Sequence, residues 1–114
     1  MKIRLSKSSE SLYLIELGGN LDLKSSTMLK DYVIKMIKTP METFIINLKD
    51  VASINSAGIG ALIYVFSTLR KLNCTLILLA PDGPVLEALE VSRLRNYFTV
   101  VPNLKDAMQI TNNK

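Results

Sequence analysis

Apolar and polar residues alternate over residues 2 to 5, in the order Lys, Ile, Arg, Leu, and after the polar cluster Ser6 to Ser11 a second apolar run covers Leu12 to Leu17. Alternation at period two marks a half-buried strand, so these segments predict two short strands joined by a hairpin-like turn. Gly18, Gly19 and Asn20 then act as a breaker. From Ser25 or Ser26 the apolar positions Met28, Leu29, Tyr32, Val33, Met36 and Ile37 recur at helical spacing. The pattern predicts an amphipathic helix whose serines supply N-cap oxygens and which Pro40 closes, with Asp31 and Lys35 as a surface pair.

Thr43 to Leu48, rich in β-branched and aromatic residues, predicts a strand buried on both faces. A connection from Lys49 to Asn55 leads into Ile59, Leu62, Ile63, Phe66, Leu69 and Leu72, again at helical spacing. Cys74 to Ala80 predicts another buried strand. Pro81 to Pro84 forms a turn with Pro84 suited to the first helical position, and Val85 to Leu94 a short helix. Phe98 to Val101 gives a last strand, and Asn103 caps a final helix from Leu104 to Ile110. The order ββαβαβαβα predicts one α/β domain over residues 1–114, frayed at 111–114. Its sheet is mixed and mostly parallel, with an N-terminal hairpin and about four helices.

Composition narrows the chemistry. An apolar fraction of 48% over 114 residues lies far above the disordered regime and suits a single domain. Fourteen Lys and Arg against ten Asp and Glu give a formal charge of +4. The cations, among them Lys24, Lys30, Lys35, Lys38, Arg70, Lys71, Arg93 and Arg95, are spread over separate segments. That spacing suits solvated helix faces better than a nucleic-acid footprint, so no nucleic-acid partner is expected. Histidine is absent and Cys74 is the single cysteine, which excludes Ser-His and Cys-His nucleophilic pairs, imidazole metal sites and zinc clusters. No catalytic residue, metal or cofactor is assigned. The start of the chain lacks the continuous apolar region of a signal peptide, and the longest apolar stretches fall short of the roughly 20 residues a membrane helix needs. The expectation is a cytoplasmic protein with no membrane insertion, in which Cys74 is a buried, reduced strand thiol.

In a parallel sheet the connections Gly18 to Lys24, Lys49 to Ala57, Pro81 to Pro84 and Pro102 to Asn103 all leave the carboxyl ends of their strands and share one edge. The most unusual is Ile54-Asn55-Ser56-Ala57-Gly58-Ile59-Gly60, with Ser56 placed as an N-cap and two glycines in the first turns. Each helical glycine costs about 1 kcal/mol relative to alanine. Two readings account for them: access of another molecule to the backbone and to the Ser56 hydroxyl, or tight packing of the helix on its neighbours. The segment is neither a P-loop nor a dinucleotide fingerprint. Asp22 and Asp82 are further polar candidates on the same edge, each equally suited to a turn or a cap. The acidic pair, acceptor Asp and Lys of a response-regulator receiver are missing.

Gly19-Asn20-Leu21-Asp22 before the first helix, Leu48-Lys49-Asp50-Val51, and Ile54 to Gly60 together resemble the STAS domain of bacterial anti-sigma factor antagonists. There the usual strings are Gly-x-Leu/Ile-Asp and Asp-Ser-Ser/Thr/Ala-Gly-Leu/Ile-Gly. Motif spacing, element order and length match over essentially the whole chain. The resemblance implies a non-catalytic switch. The unphosphorylated antagonist binds an anti-sigma factor serine kinase of the histidine-kinase-like ATPase fold, phosphorylation of the serine after the motif Asp ends the interaction, and a PPM-type serine phosphatase resets it. The matching serine is Ser56, and Asp22 matches the Asp of the first motif. Asn55, Ala57, Gly58, Ile59, Gly60 and Asp82 complete the implied partner-binding set. The chain departs from the family at Asn55, which keeps the size and hydrogen bonding of the usual Asp and removes its charge. STAS domains also serve in lipid-transport complexes and large signalling assemblies, so the alternative is a constitutive scaffold or transporter-associated subunit in which Ser56 is only a helix cap. No Lys or Arg lies between Val51 and Ile63, so a phosphate on Ser56, facing Asp22 and Asp82, is expected to act by repelling a partner.

Overall fold

The structure, a computed structural model, describes residues 2–9, 11–38, 42–80 and 83–112. Pro40, Pro81, Asp82 and the last two residues lie outside them. Strands β1 (Lys2–Ser9) and β2 (Leu12–Leu21) form the antiparallel hairpin that the alternation predicts. Strands β3 (Thr43–Ile54), β4 (Thr75–Leu79) and β5 (Thr99–Val101) follow in parallel, giving a five-stranded sheet in sequence order. Helices α1 (Leu23–Met36), α2 (Ser56–Lys71) and α3 (Pro84–Val91) join the parallel strands, and α4 (Leu104–Asn112) ends the fold. This is the mixed, mostly parallel α/β architecture expected.

The period of two within β3 and β4 sorts the core into two layers. Phe44, Ile46, Leu48, Leu76 and Leu78 face Leu29, Val33, Leu62, Val65, Leu69, Val85 and Leu89 of the first three helices. Ile45, Ile77, Leu79 and Val101 face Ala107, Met108 and Ile110 of α4. Strands buried on both sides carry unbroken apolar runs for this reason. Three crossover helices therefore lie side by side on one face. Each starts at the carboxyl edge of the sheet and returns to its amino edge.

Several local expectations change. The glycine breaker lies inside β2, which runs on to Leu21 through two register shifts against β3. Gly19, at φ +94°, supplies the backbone conformation one of these irregularities requires. Likewise β3 continues to Ile54, so the connection predicted from Lys49 shrinks to Asn55. Parallel pairing of Leu21 with Ile54 outweighs the polar composition of both segments. Cys74 is half-buried and precedes β4. Asp31 and Lys35 form no ion pair.

Candidate functional site at two adjacent helix starts

Because Leu21 pairs with Ile54 at the ends of neighbouring parallel strands, the next residues, Asp22 and Asn55, start α1 and α2 side by side. Asp22 is the N-cap of α1, in place of the expected serines. Its carboxylate accepts hydrogen bonds from the Ser25 backbone N–H (3.1 Å) and from the Ser25 hydroxyl (3.0 Å), which is shared with the Asn20 carbonyl (2.7 Å). The Ser25 N–H and then the Ser25 hydroxyl hold the Asp22 carboxyl below its ordinary value. Ser26 donates to the Asp22 carbonyl at 2.5 Å. Both serines are buried, so these bonds replace the water they lose.

At α2 the N-cap is Asn55, whose Oδ1 accepts from the Gly58 N–H at 3.1 Å, and Ser56 is the first helical residue. This corrects the reading of Ser56 as the cap. The physical reason lies one residue upstream, since Asn55 has extended backbone and a side-chain oxygen of the right reach. Ser56 is exposed, and its hydroxyl takes part in no hydrogen bond among the described residues.

The two glycines separate. A Cβ on Gly58 would overlap the Leu21 carbonyl oxygen and come within 2.8 Å of Ile54 Cγ1 and 2.9 Å of Leu21 Cγ. Gly58 is buried, and packing of α2 onto the end of β2 accounts for it without any access role. A Cβ on Gly60 meets nothing within 4 Å, so the fold does not require glycine there. Ala57 and Ile59 are half-buried beside them. Asp82 lies outside the described residues.

One feature of the edge has no signal in the sequence pattern. The Ser53 hydroxyl donates to Asn20 Oδ1 at 2.8 Å, clasping β2 to β3 just before both caps. These residues stand 33 positions apart and only the parallel register joins them. Leu23, 70% exposed at the first position of α1, does carry a signal, because it falls outside the helical phase of Leu29, Val33 and Met36. Among the described residues no three metal-binding side chains cluster, and no helix is long and apolar enough to cross a membrane. Two open hollows, of about 500 and 380 Å³, are lined by Arg4, Glu16, Gly18 and Asp50 among others and by Asn47, Lys49 and Asn103 among others. Neither includes Ser56.

The sequence profile of the STAS domain matches residues 5–107, and the chain belongs to that family. A search of curated protein sequences finds no match. Among solved structures, the chain is similar to the anti-sigma factor antagonist SpoIIAA in its unphosphorylated form, at 18% identity and a TM-score of 0.81 over 99% of this chain and 98% of that one. SpoIIAA from Bacillus in the phosphorylated form gives 18% identity and a TM-score of 0.74, covering 96% and 99%. A sulfate transporter family protein from Wolinella succinogenes gives 19% and 0.77, covering 89% and 84%. At these identities the likeness is one of fold.

Proposed function

We propose that the chain is an anti-sigma factor antagonist that works by partner switching. Unphosphorylated, it binds an anti-sigma factor serine kinase of the histidine-kinase-like ATPase fold in the cytoplasm. Phosphorylation of Ser56 releases it, and a PPM-type phosphatase restores it. The chain itself catalyses nothing on this reading. The observation that carries it is the exposed Ser56 hydroxyl at the first residue of α2, with no hydrogen-bond partner among the described residues, while the other two serines at these helix starts are buried and hydrogen-bonded. The shared fold with an antagonist solved in both phosphorylation states supports the assignment.

The electrostatics follow from the same edge. A phosphate adds nearly two negative charges, and the stretch from Val51 to Ile63 offers no cation to neutralise them. The Asp22 carboxylate, kept ionised by Ser25, caps the neighbouring helix. A partner seated over Asp22, Asn55, Ser56, Ala57, Ile59 and Gly60 when the edge is weakly charged meets a strongly anionic surface after phosphorylation, and like charge across an interface costs several kcal/mol.

The experiment is to incubate the chain with candidate kinases of this fold and ATP and to map the product. One phosphate on Ser56 is expected. A phosphate on Ser53, Ser67 or Ser92 instead contradicts the assignment. The second reading, a constitutive scaffold or transporter-associated subunit, draws on Asn55 in place of the family's Asp and on the fold shared with the sulfate transporter family protein. Partner binding that is unchanged by a phosphate on Ser56 selects it.

A further inference from the structure

Six of the eight cations that look dispersed along the sequence lie at or just after the ends of the three crossover helices. Lys35 and Lys38 end α1, Arg70 and Lys71 end α2, and Arg93 and Arg95 follow α3. All three helices end at the amino edge of the sheet, opposite Ser56. The ends of α2 and α3 are built alike. Asn73 and Arg93 both take φ +60°, and the next N–H groups, of Cys74 and Leu94, each bond a carbonyl five residues back at 2.8 Å. Among the described residues Arg95 pairs with Glu90 at 3.0 Å, whereas Lys35, Lys38, Arg70, Lys71 and Arg93 form no ion pair.

Favourable placement at helix C-termini accounts for part of this charge. It does not account for the exposed apolar side chains that stand within two residues of these cations along the chain: Val91 is 79% exposed, Leu72 50% and Tyr97 42%. The Tyr97 ring lies 5.0 Å from that of Phe66 on α2, which holds the segment after α3 against α2.

We propose that this end is a docking face for the surface of an anionic lipid bilayer. Both halves of its chemistry are used there: phosphate head groups meet the cations, and the acyl boundary takes up Leu72, Val91 and the Tyr97 ring. A nucleic acid would neutralise the cations and leave the apolar side chains in water. The face does not depend on the partner-switching reading. It also leaves the Ser56 edge pointing into solvent, since the 16 residues of α2 separate the two ends by roughly 24 Å.

The test is co-sedimentation of the chain with vesicles of mixed phosphatidylglycerol and phosphatidylcholine, against pure phosphatidylcholine, at low and raised salt. Binding to the mixed vesicles alone is expected, falling with salt. Arg70→Glu with Lys71→Glu should weaken it by more than tenfold, at roughly fivefold per cation removed. Lys35→Glu with Lys38→Glu repeats the test on another helix should the first pair disturb α2. Leu72→Asn with Val91→Asn should weaken binding several-fold, and Lys24→Glu, at the other end, should weaken it less than either reversed pair. Absence of sedimentation with the mixed vesicles overturns the proposal. So does duplex DNA binding as tightly and insensitive to the Leu72 and Val91 changes, which marks a general polyanion site.

Discussion

Helices α1 and α2 begin on adjacent strands with the same construction, an Asx side chain that accepts the backbone N–H three residues on, yet they finish it differently. At α1 the cap is charged and the following serines are buried and tied to backbone oxygens. At α2 the cap is neutral and the serine is exposed, its hydroxyl without a hydrogen-bond partner among the described residues. One start is closed around itself and the other is left available. Serine identity therefore says little about chemical availability. The position relative to the cap decides it, because the serines three and four residues past the cap turn back onto the strand end and the cap carbonyl, whereas the one at the first helical position is exposed.

The comparison breaks most sharply at Gly58. Gly58→Val should destabilise the fold by about 3 kcal/mol or more in urea unfolding, because the obstructing atom is a backbone oxygen that cannot rotate away. Gly60→Ala should instead stabilise it by up to about 1 kcal/mol, so a loss of partner affinity in that variant reads interface contact directly. Equal destabilisation by the two would show that both glycines serve packing.

Next in size is the effect of charge at Ser56. Since this residue is not the cap, Ser56→Ala should change stability by under about 0.5 kcal/mol and leave kinase binding intact. Ser56→Asp, favoured by the helix dipole, should melt no lower than wild type and bind the unphosphorylated-state partner at least tenfold more weakly by calorimetry. Aspartate is an imperfect stand-in for phosphate, so the phosphoprotein belongs in the same series.

Asn55→Ala should cost about 1 kcal/mol through loss of the cap. Asn55→Asp should keep the cap and add a few tenths of a kcal/mol from the helix dipole at neutral pH. A wild-type-like melting temperature for Asn55→Ala would return the capping role to Ser56.

The smallest effect is confined to acid. The Ser25 N–H and hydroxyl hold the Asp22 carboxyl below 3.8, so its contribution is present above that value and is lost as pH falls through the depressed one. The melting-temperature gap between wild type and Asp22→Asn should accordingly narrow below about pH 4. A gap that stays constant down to the lowest pH at which both fold would mean that the Ser25 bonds do not favour the ionised form.

The hydrophobic period determined much of this protein. The order of elements, the doubly buried β3 and β4, the hairpin and the helix phases all follow from spacing, because burial on one or two faces constrains side-chain polarity residue by residue. The strings around Asp22 and Ser56 carried the family, since the chain keeps the residues that cap and pack at those turns. Three things needed the tertiary structure. Pairing between β2 and β3 turned predicted loops into strand ends and moved both caps, because hydrogen bonds to a neighbouring strand override the turn preference of Gly, Asn and Asp. The separate roles of Gly58 and Gly60 depend on what stands opposite each, here the Leu21 carbonyl and open space. Finally, cations far apart along the chain stand at helix ends that share one edge of the sheet, because parallel crossover helices all finish there, and charge density is a property of distance in space.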